Sequence, residues 1–168
     1  MTKLTAVRTS TIPVIALLAV AALQIAYYYP RLPALVASHF DVSGMPNRYE
    51  PKATFLVLYV GVLVGLAVVY VVIPRLMLAL PVEYINLPNK AYWLAPERRE
   101  ATVAFFMDRF TIFGAATLAL IVLVFQLGFT ANLSTQTFPS TTAFWLLGAY
   151  GAFAVGWLAT MVLRFSRV

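Results

Sequence analysis

The sequence predicts an all-α integral membrane protein, a bundle of four transmembrane helices with one ordered outer loop and one long inner loop. Three observations carry this. The chain is 62% hydrophobic and only 11% charged, against about 45–50% apolar and about 25% charged in a soluble domain. Its apolar residues gather in four runs free of Asp, Glu, Lys, Arg and His: Ile12–Tyr29, Ala53–Ile73, Phe110–Phe129 and Thr142–Leu163, of 18, 21, 20 and 22 residues. A helix needs about 20 residues to cross a hydrocarbon core roughly 30 Å thick. All twelve basic and six acidic side chains and the single His lie outside these runs, as expected when each charge at mid-helix costs about 2.5–3.5 kcal/mol.

The 168 residues suit one membrane domain, 1–168. Its helices are expected at about 12–29, 53–73, 110–129 and 142–163, with outer loops at 30–52 and 130–141 and an inner loop at 74–109. Lys3 and Arg8 before the first run would also suit a signal peptide, but no small-x-small cleavage site follows promptly, so the run is read as a span. Placing the N-terminus inside puts Lys3, Arg8, Arg75, Lys90, Arg98, Arg99, Arg109, Arg164 and Arg167 on the inner side and Arg31, Arg48 and Lys52 on the outer. Nine against three favours both termini in the cytoplasm, in a bacterial cytoplasmic (inner) membrane. The Tyr27–Tyr29 triplet then lies at the outer interface, where amphipathic rings settle.

Cysteine is absent, which excludes disulfides, thiolate metal sites and a cysteine nucleophile. The net charge of +6 follows the spans rather than a nucleic-acid surface, so the bilayer is the expected partner and nucleic acid is not.

Small residues mark helix faces. Gly61 and Gly65 form a G-x-x-x-G pair on the second span, and Gly148, Ala152 and Gly156 stand four apart on the fourth. Small faces let backbones approach in lipid. Packing inside the bundle is the expectation, and a homo-oligomer seam is the alternative. Pro74 lies where the second span leaves the apolar core and favours a kink, with Leu76–Leu80 continuing as an interfacial helix. Pro96 followed by Glu97 reads as a helix start that runs through Asp108 into the third span.

The outer loop, RLPALVASHFDVSGMPNRYEPK from Arg31 to Lys52, carries the only His. Ser43-Gly44-Met45-Pro46 is a turn signal. His39 and Asp41 are two apart and would share a face of an extended segment, with Glu50 nearby. One imidazole with carboxylates is a poor set for zinc, so no metal or other cofactor is expected. His39 is read instead as bonded within the loop or as binding a ligand. Gln24 and Gln126 sit at similar depth on the first and third spans. They either bond each other or floor a small cavity beneath the His39 loop.

The inner loop, PVEYINLPNKAYWLAP from Pro81 to Pro96, continues into Glu97-Arg98-Arg99-Glu100. Three prolines interrupt helix, and Tyr84, Tyr92 and Trp93 are rings that suit the interface. One reading is an interfacial loop with Lys90, Arg98 and Arg99 facing anionic lipid. The other is a docking surface for a membrane or cytoplasmic protein, through Asn89, Lys90, Tyr92, Trp93, Arg98 and Arg99.

Both loops resemble those of a bacterial membrane-protein family of unknown function whose domain also stands at the N-terminus of SdpI-type immunity proteins. The outer similarity is Leu32-Pro33, His39-Phe40, Gly44-x-Pro46-Asn47 and Lys52, against a pattern of roughly Leu-Pro, His-Phe-Asn, Gly-x-Pro-Asp and Lys. Here Asp41 replaces the usual Asn and Asn47 the usual Asp. The inner similarity is the run Asn86–Arg99, and the whole covers roughly Ile12 to Arg109. The resemblance implies little chemistry. SdpI-type proteins protect a producing cell from a secreted toxin, but their immunity domain is separate and is not found in this chain.

The function these observations point to is a non-enzymatic membrane accessory, sensor or immunity-type protein. His39, Asp41, Gly44, Asn47, Lys52, Gln24 and Gln126 would serve an extracytoplasmic ligand or subunit, and the inner loop a partner. The alternative is an enzyme or metal-binding protein using His39 with Asp41 or Glu50, although no second His or nucleophile arrangement accompanies them. A transporter would be expected to carry ionisable groups inside the spans, and this chain has none there.

Overall fold

The computed structural model describes residues 2–134 and 137–166. The side chains of Lys3 and Arg8, residue Arg167, and positions 135–136 of the expected outer loop 130–141 lie outside the described residues. Four helices are long and apolar enough to cross a bilayer, the mark of a multi-pass membrane protein. The first is α1 (Thr2–Tyr28). The second is α2 (Lys52–Ala67), continued by a π turn (Val68–Val72) and α3 (Ile73–Ala79). A short α4 (Lys90–Trp93) precedes α5 (Pro96–Leu133), and α6 is Ser140–Ser166.

The expectation of an all-α chain is corrected at the 31–52 loop. Leu35–Phe40 (β1) and Pro46–Pro51 (β2) pair as an antiparallel hairpin. Leu35 faces Pro51, Ala37 faces Tyr49 and His39 faces Arg48, which leaves Ser38 as an extra residue on β1. Such a bulge bends a strand and re-aims its side chains. An isolated hairpin is marginal in water. This one rests on the bundle through Val36 and Ala37, both buried.

The third span is longer than its apolar run. Pro96 occupies the first turn, where its missing N–H costs nothing, and the helix continues unbroken for 38 residues. Its far end reaches Leu133, so the expected loop 130–141 is shorter than read. α5 is the hub: α1, α2, the π turn, α3 and α6 all pack on it. The core at the hairpin end joins Ala21, Val36, Phe55, Tyr59, Leu118 and Phe129.

The π turn lies just before Pro74. Proline cannot donate to the helix ladder, and here Ile73 N–H bonds back five residues to Val68 O. The Arg75 guanidinium bonds Val71 O, so the expected irregularity takes the form of a wide turn while the helix continues.

The small-residue faces are a second correction. A Cβ on Gly61, Gly65, Gly148 or Gly156 would meet nothing within 4 Å, and Ala152 is exposed. These faces do not pack inside the bundle. The close approach falls at Gly114 instead, where a Cβ would stand 2.4 Å from Tyr70 Cβ.

At the other end the segment between α3 and α5 folds back on the bundle. Leu87 and Leu94 are buried with Met161 and Phe165 of α6. Asn89 takes a left-handed conformation at φ 53° and donates to Phe165 O at 3.0 Å. Thr102 donates to Trp93 O at 2.8 Å, and Trp157 Nε1 donates to Arg109 O at 3.0 Å. Phe106 stacks on Phe165 at 4.7 Å.

Candidate functional site at the hairpin end

The hairpin roofs a groove of about 370 Å³ floored by α5 and flanked by α2 and α6. Val124, Phe125 and Gly128 form the floor, Phe55 one wall, and Phe144 and Leu147 the other. Ser38, His39, Asp41 and Ser140 supply polar groups at its hairpin side. An apolar hollow with a few convergent polar groups is the usual form of a small-ligand site.

The residues expected to act together separate into two groups. Most hold the fold. Asp41 Oδ1 accepts from Ser43 Oγ at 2.6 Å, Ser43 N at 2.9 Å and Met45 N at 2.9 Å. The Ser43 hydroxyl first, then the Met45 amide, hold its carboxyl below the usual carboxylate range, because donors favour the charged form. Asp41 is therefore the knot of the turn, and it reaches the groove from that turn rather than from a shared strand face. Gly44 sits at φ +86°, and a Cβ there would lie 2.2 Å from Phe138 O. No other residue fits both demands. Phe138 N–H donates to Gly44 O at 2.8 Å, and Phe40 stacks on Phe138 at 5.0 Å. The hairpin tip is thus clamped to the segment entering α6.

Lys52 is also structural. Its Nζ donates to Tyr29 O and Leu32 O, each at 3.3 Å, and lies 4.9 Å from the Tyr29 ring centre. These carbonyls follow the end of α1, where acceptors lack helical partners. Gln24 and Gln126 do not line the groove. Gln24 donates to Gln126 Oε1 at 2.8 Å, accepts from Tyr59 OH at 2.6 Å, and Gln126 donates to Tyr28 OH. This closed set ties α1, α2 and α5 together inside lipid, where polar groups need partners. Of the two sequence alternatives, mutual bonding is the one observed.

His39 and Asn47 remain. Asn47 is exposed on the hairpin and does not line the groove. His39 is exposed and lines the groove, and its imidazole forms no hydrogen bond with the described residues. Its imidazole can donate from one nitrogen and accept at the other. Glu50 is turned away into an ion pair with Arg48 at 2.7 Å. Among the described residues no three His, Cys, Asp or Glu side chains cluster as a metal site.

Sequence reasoning missed Asn132. Its side-chain amide accepts from Ala37 N at 2.7 Å and donates to Ala37 O at 3.0 Å, standing in for a third strand. It also donates to Gly128 O. The available signal was an amide near the end of the third span, one turn beyond a glycine.

At the opposite end of the bundle the expected docking residues also divide. Trp93 is half-buried, 5.2 Å from the Phe165 ring, with the Arg164 guanidinium 5.4 Å from its own ring. Asn89 serves α6, and Lys90 Nζ donates to Glu83 O at 3.3 Å. Tyr92 and Arg98 are exposed and stacked, the guanidinium 4.0 Å from the ring. Arg99 is half-buried.

No curated protein and no solved structure matches the chain. A family model described as a domain of unknown function (DUF1648) matches residues 14–64, 51 of the 168. The expected similarity ran from Ile12 to Arg109, whereas this match stops before the inner motif Asn86–Arg99. It spans most of α1, the whole hairpin and the greater part of α2, so Gly44 and Lys52, which fix the hairpin, and His39, which it presents, all fall within it. The similarity to this family is thus confined to residues 14–64, in the first two spans and the hairpin between them.

Proposed function

We propose that this is a non-enzymatic accessory or sensor protein of a bacterial cytoplasmic membrane, with both termini cytoplasmic. The hairpin faces outward and its groove receives an extracytoplasmic ligand. The opposite face contacts a partner protein through the exposed Tyr92 and Arg98 pair. The observation that carries this reading is His39. Its hairpin neighbours Asp41, Gly44 and Lys52 are engaged in holding the fold, while its imidazole stands unengaged over a preformed apolar groove. A preformed apolar groove with a few polar groups at one side binds and orients. The nine-to-three distribution of basic residues supports the orientation, and the largely apolar lining of the groove supports a binding role.

The test is a photoreactive residue at position 39 in intact cells, with the same probe at Leu158 as a lipid-facing reference on α6. A defined adduct at 39 that is absent at 158 is the expected result. The same products at both positions would remove the ligand reading.

A further inference from the structure

We infer that the occupant of the groove is one acyl chain of an amine-headed phospholipid, drawn from the leaflet at the hairpin end. The inference rests on the reading above only in taking the groove as the ligand site.

The hydrogen-bonding inventory of the groove selects the chain. Val124, Phe125, Gly128, Phe55, Phe144 and Leu147 form its floor and walls, and none offers a polar side chain. A peptide laid there would leave its N–H and C=O groups without partners, which lipid-facing structures avoid. Hydrocarbon has no such groups. From Ser140 to Leu147 the wall runs seven residues along α6, about 10 Å at 1.5 Å per residue. A volume of about 370 Å³ holds roughly a dozen methylene groups, each taken as about the 30 Å³ of a liquid water. That is most of one acyl chain.

Charge selects the head. Asp41 is the only acid among the groove's residues, and no Lys or Arg joins it. Its Oδ1 is filled by the turn, the residue is exposed, and its charge is held by the turn donors. A carboxylate at the mouth opposes an anionic head and favours an ammonium. His39 beside it offers a ring N–H to the phosphate of the same head. Asp41 and His39 thus complement the two charges of a phosphoethanolamine, and the hydrocarbon floor complements its chain.

The full chain is purified in mild detergent with equal amounts of phosphatidylethanolamine and phosphatidylglycerol of identical acyl chains, and retained lipid is read by native mass spectrometry. The amine-headed lipid should be retained about tenfold over the other, a ratio within reach of one charge-assisted contact. Asp41→Asn keeps the Oδ1 acceptor of the turn and should abolish the preference. Leu147→Trp, at a half-exposed position, should fill the groove and lower retention of both lipids, while Leu158→Trp on the same helix should change nothing. Equal retention of the two lipids, a preference that survives Asp41→Asn, or like behaviour of the two Trp variants would overturn the inference. A peptide captured at position 39 with no lipid preference would overturn it and leave the ligand reading standing. A lipid preference with position 39 on the cytoplasmic side would do the reverse.

Discussion

Removing the Asn132 side chain should unfasten the hairpin from the bundle. Ala37 is 3% exposed, and both of its outward backbone groups are satisfied by that one amide, at 2.7 and 3.0 Å. Asn132→Ala leaves an N–H and a C=O without partners, and each orphaned buried group costs about 1–3 kcal/mol. Asn132 is itself only half-buried, so water can follow and the upper end is not reached. The expected loss is about 2–4 kcal/mol for the two together. Asn47→Ala, an exposed position on the same hairpin, should stay within about ±0.5 kcal/mol. Denaturant titration in mild detergent reads the stability, and hydrogen exchange at the Ala37 amide reads the local opening. If Asn132→Ala unfolds with the parent and its Ala37 amide stays protected, the side chain does not hold the hairpin and the reasoning fails.

Four further outcomes follow from the structure. Gly44→Ala must place a Cβ 2.2 Å from Phe138 O at positive φ, so the tip should detach from the α6 entry, seen as raised protease or exchange sensitivity at 40–46. Trp93→Ala should destabilise the inner-loop fold by about 2 kcal/mol, below the roughly 3–5 of a fully buried aromatic because the ring is half-buried; Tyr92→Ala with Arg98→Ala should keep stability and reduce any co-purifying subunit, and full retention of that subunit would end the docking reading. The Asp41 carboxyl is held below its ordinary range in the folded chain, so the turn's contribution is complete above the unfolded carboxylate range and is lost as pH falls through the lowered value; amide exchange at Ser43 and Met45 should be constant near neutrality and quicken only in acid.

The spans were legible because exclusion of charge from hydrocarbon is a strong and local constraint, and the α5 start at Pro96 was legible because proline has one favoured place in a helix. The hairpin was not. Its turn signal was plain, but β2 reads PNRYEP with no period-two pattern, and its order comes from Asn132 and Phe138, about ninety residues away. The glycine faces were misread for a related reason. Four-residue spacing shows that small residues share a face, not that another helix covers it, while the contact at Gly114 depends on a π turn that spacing does not reveal. Among site residues, Asp41, Gly44 and Lys52 draw attention by their chemistry, and only the folded geometry shows that they also build the turn and close the end of α1.

The orientation of the hairpin decides whether its groove meets an extracytoplasmic ligand, and it can be read directly because the chain has no cysteine. Single cysteines at Ser43 and Lys90 are exposed to an impermeant thiol reagent on intact cells and again after permeabilisation. The account predicts labelling at position 43 in intact cells and at position 90 only after permeabilisation; labelling at 90 in intact cells with protection at 43 would contradict it.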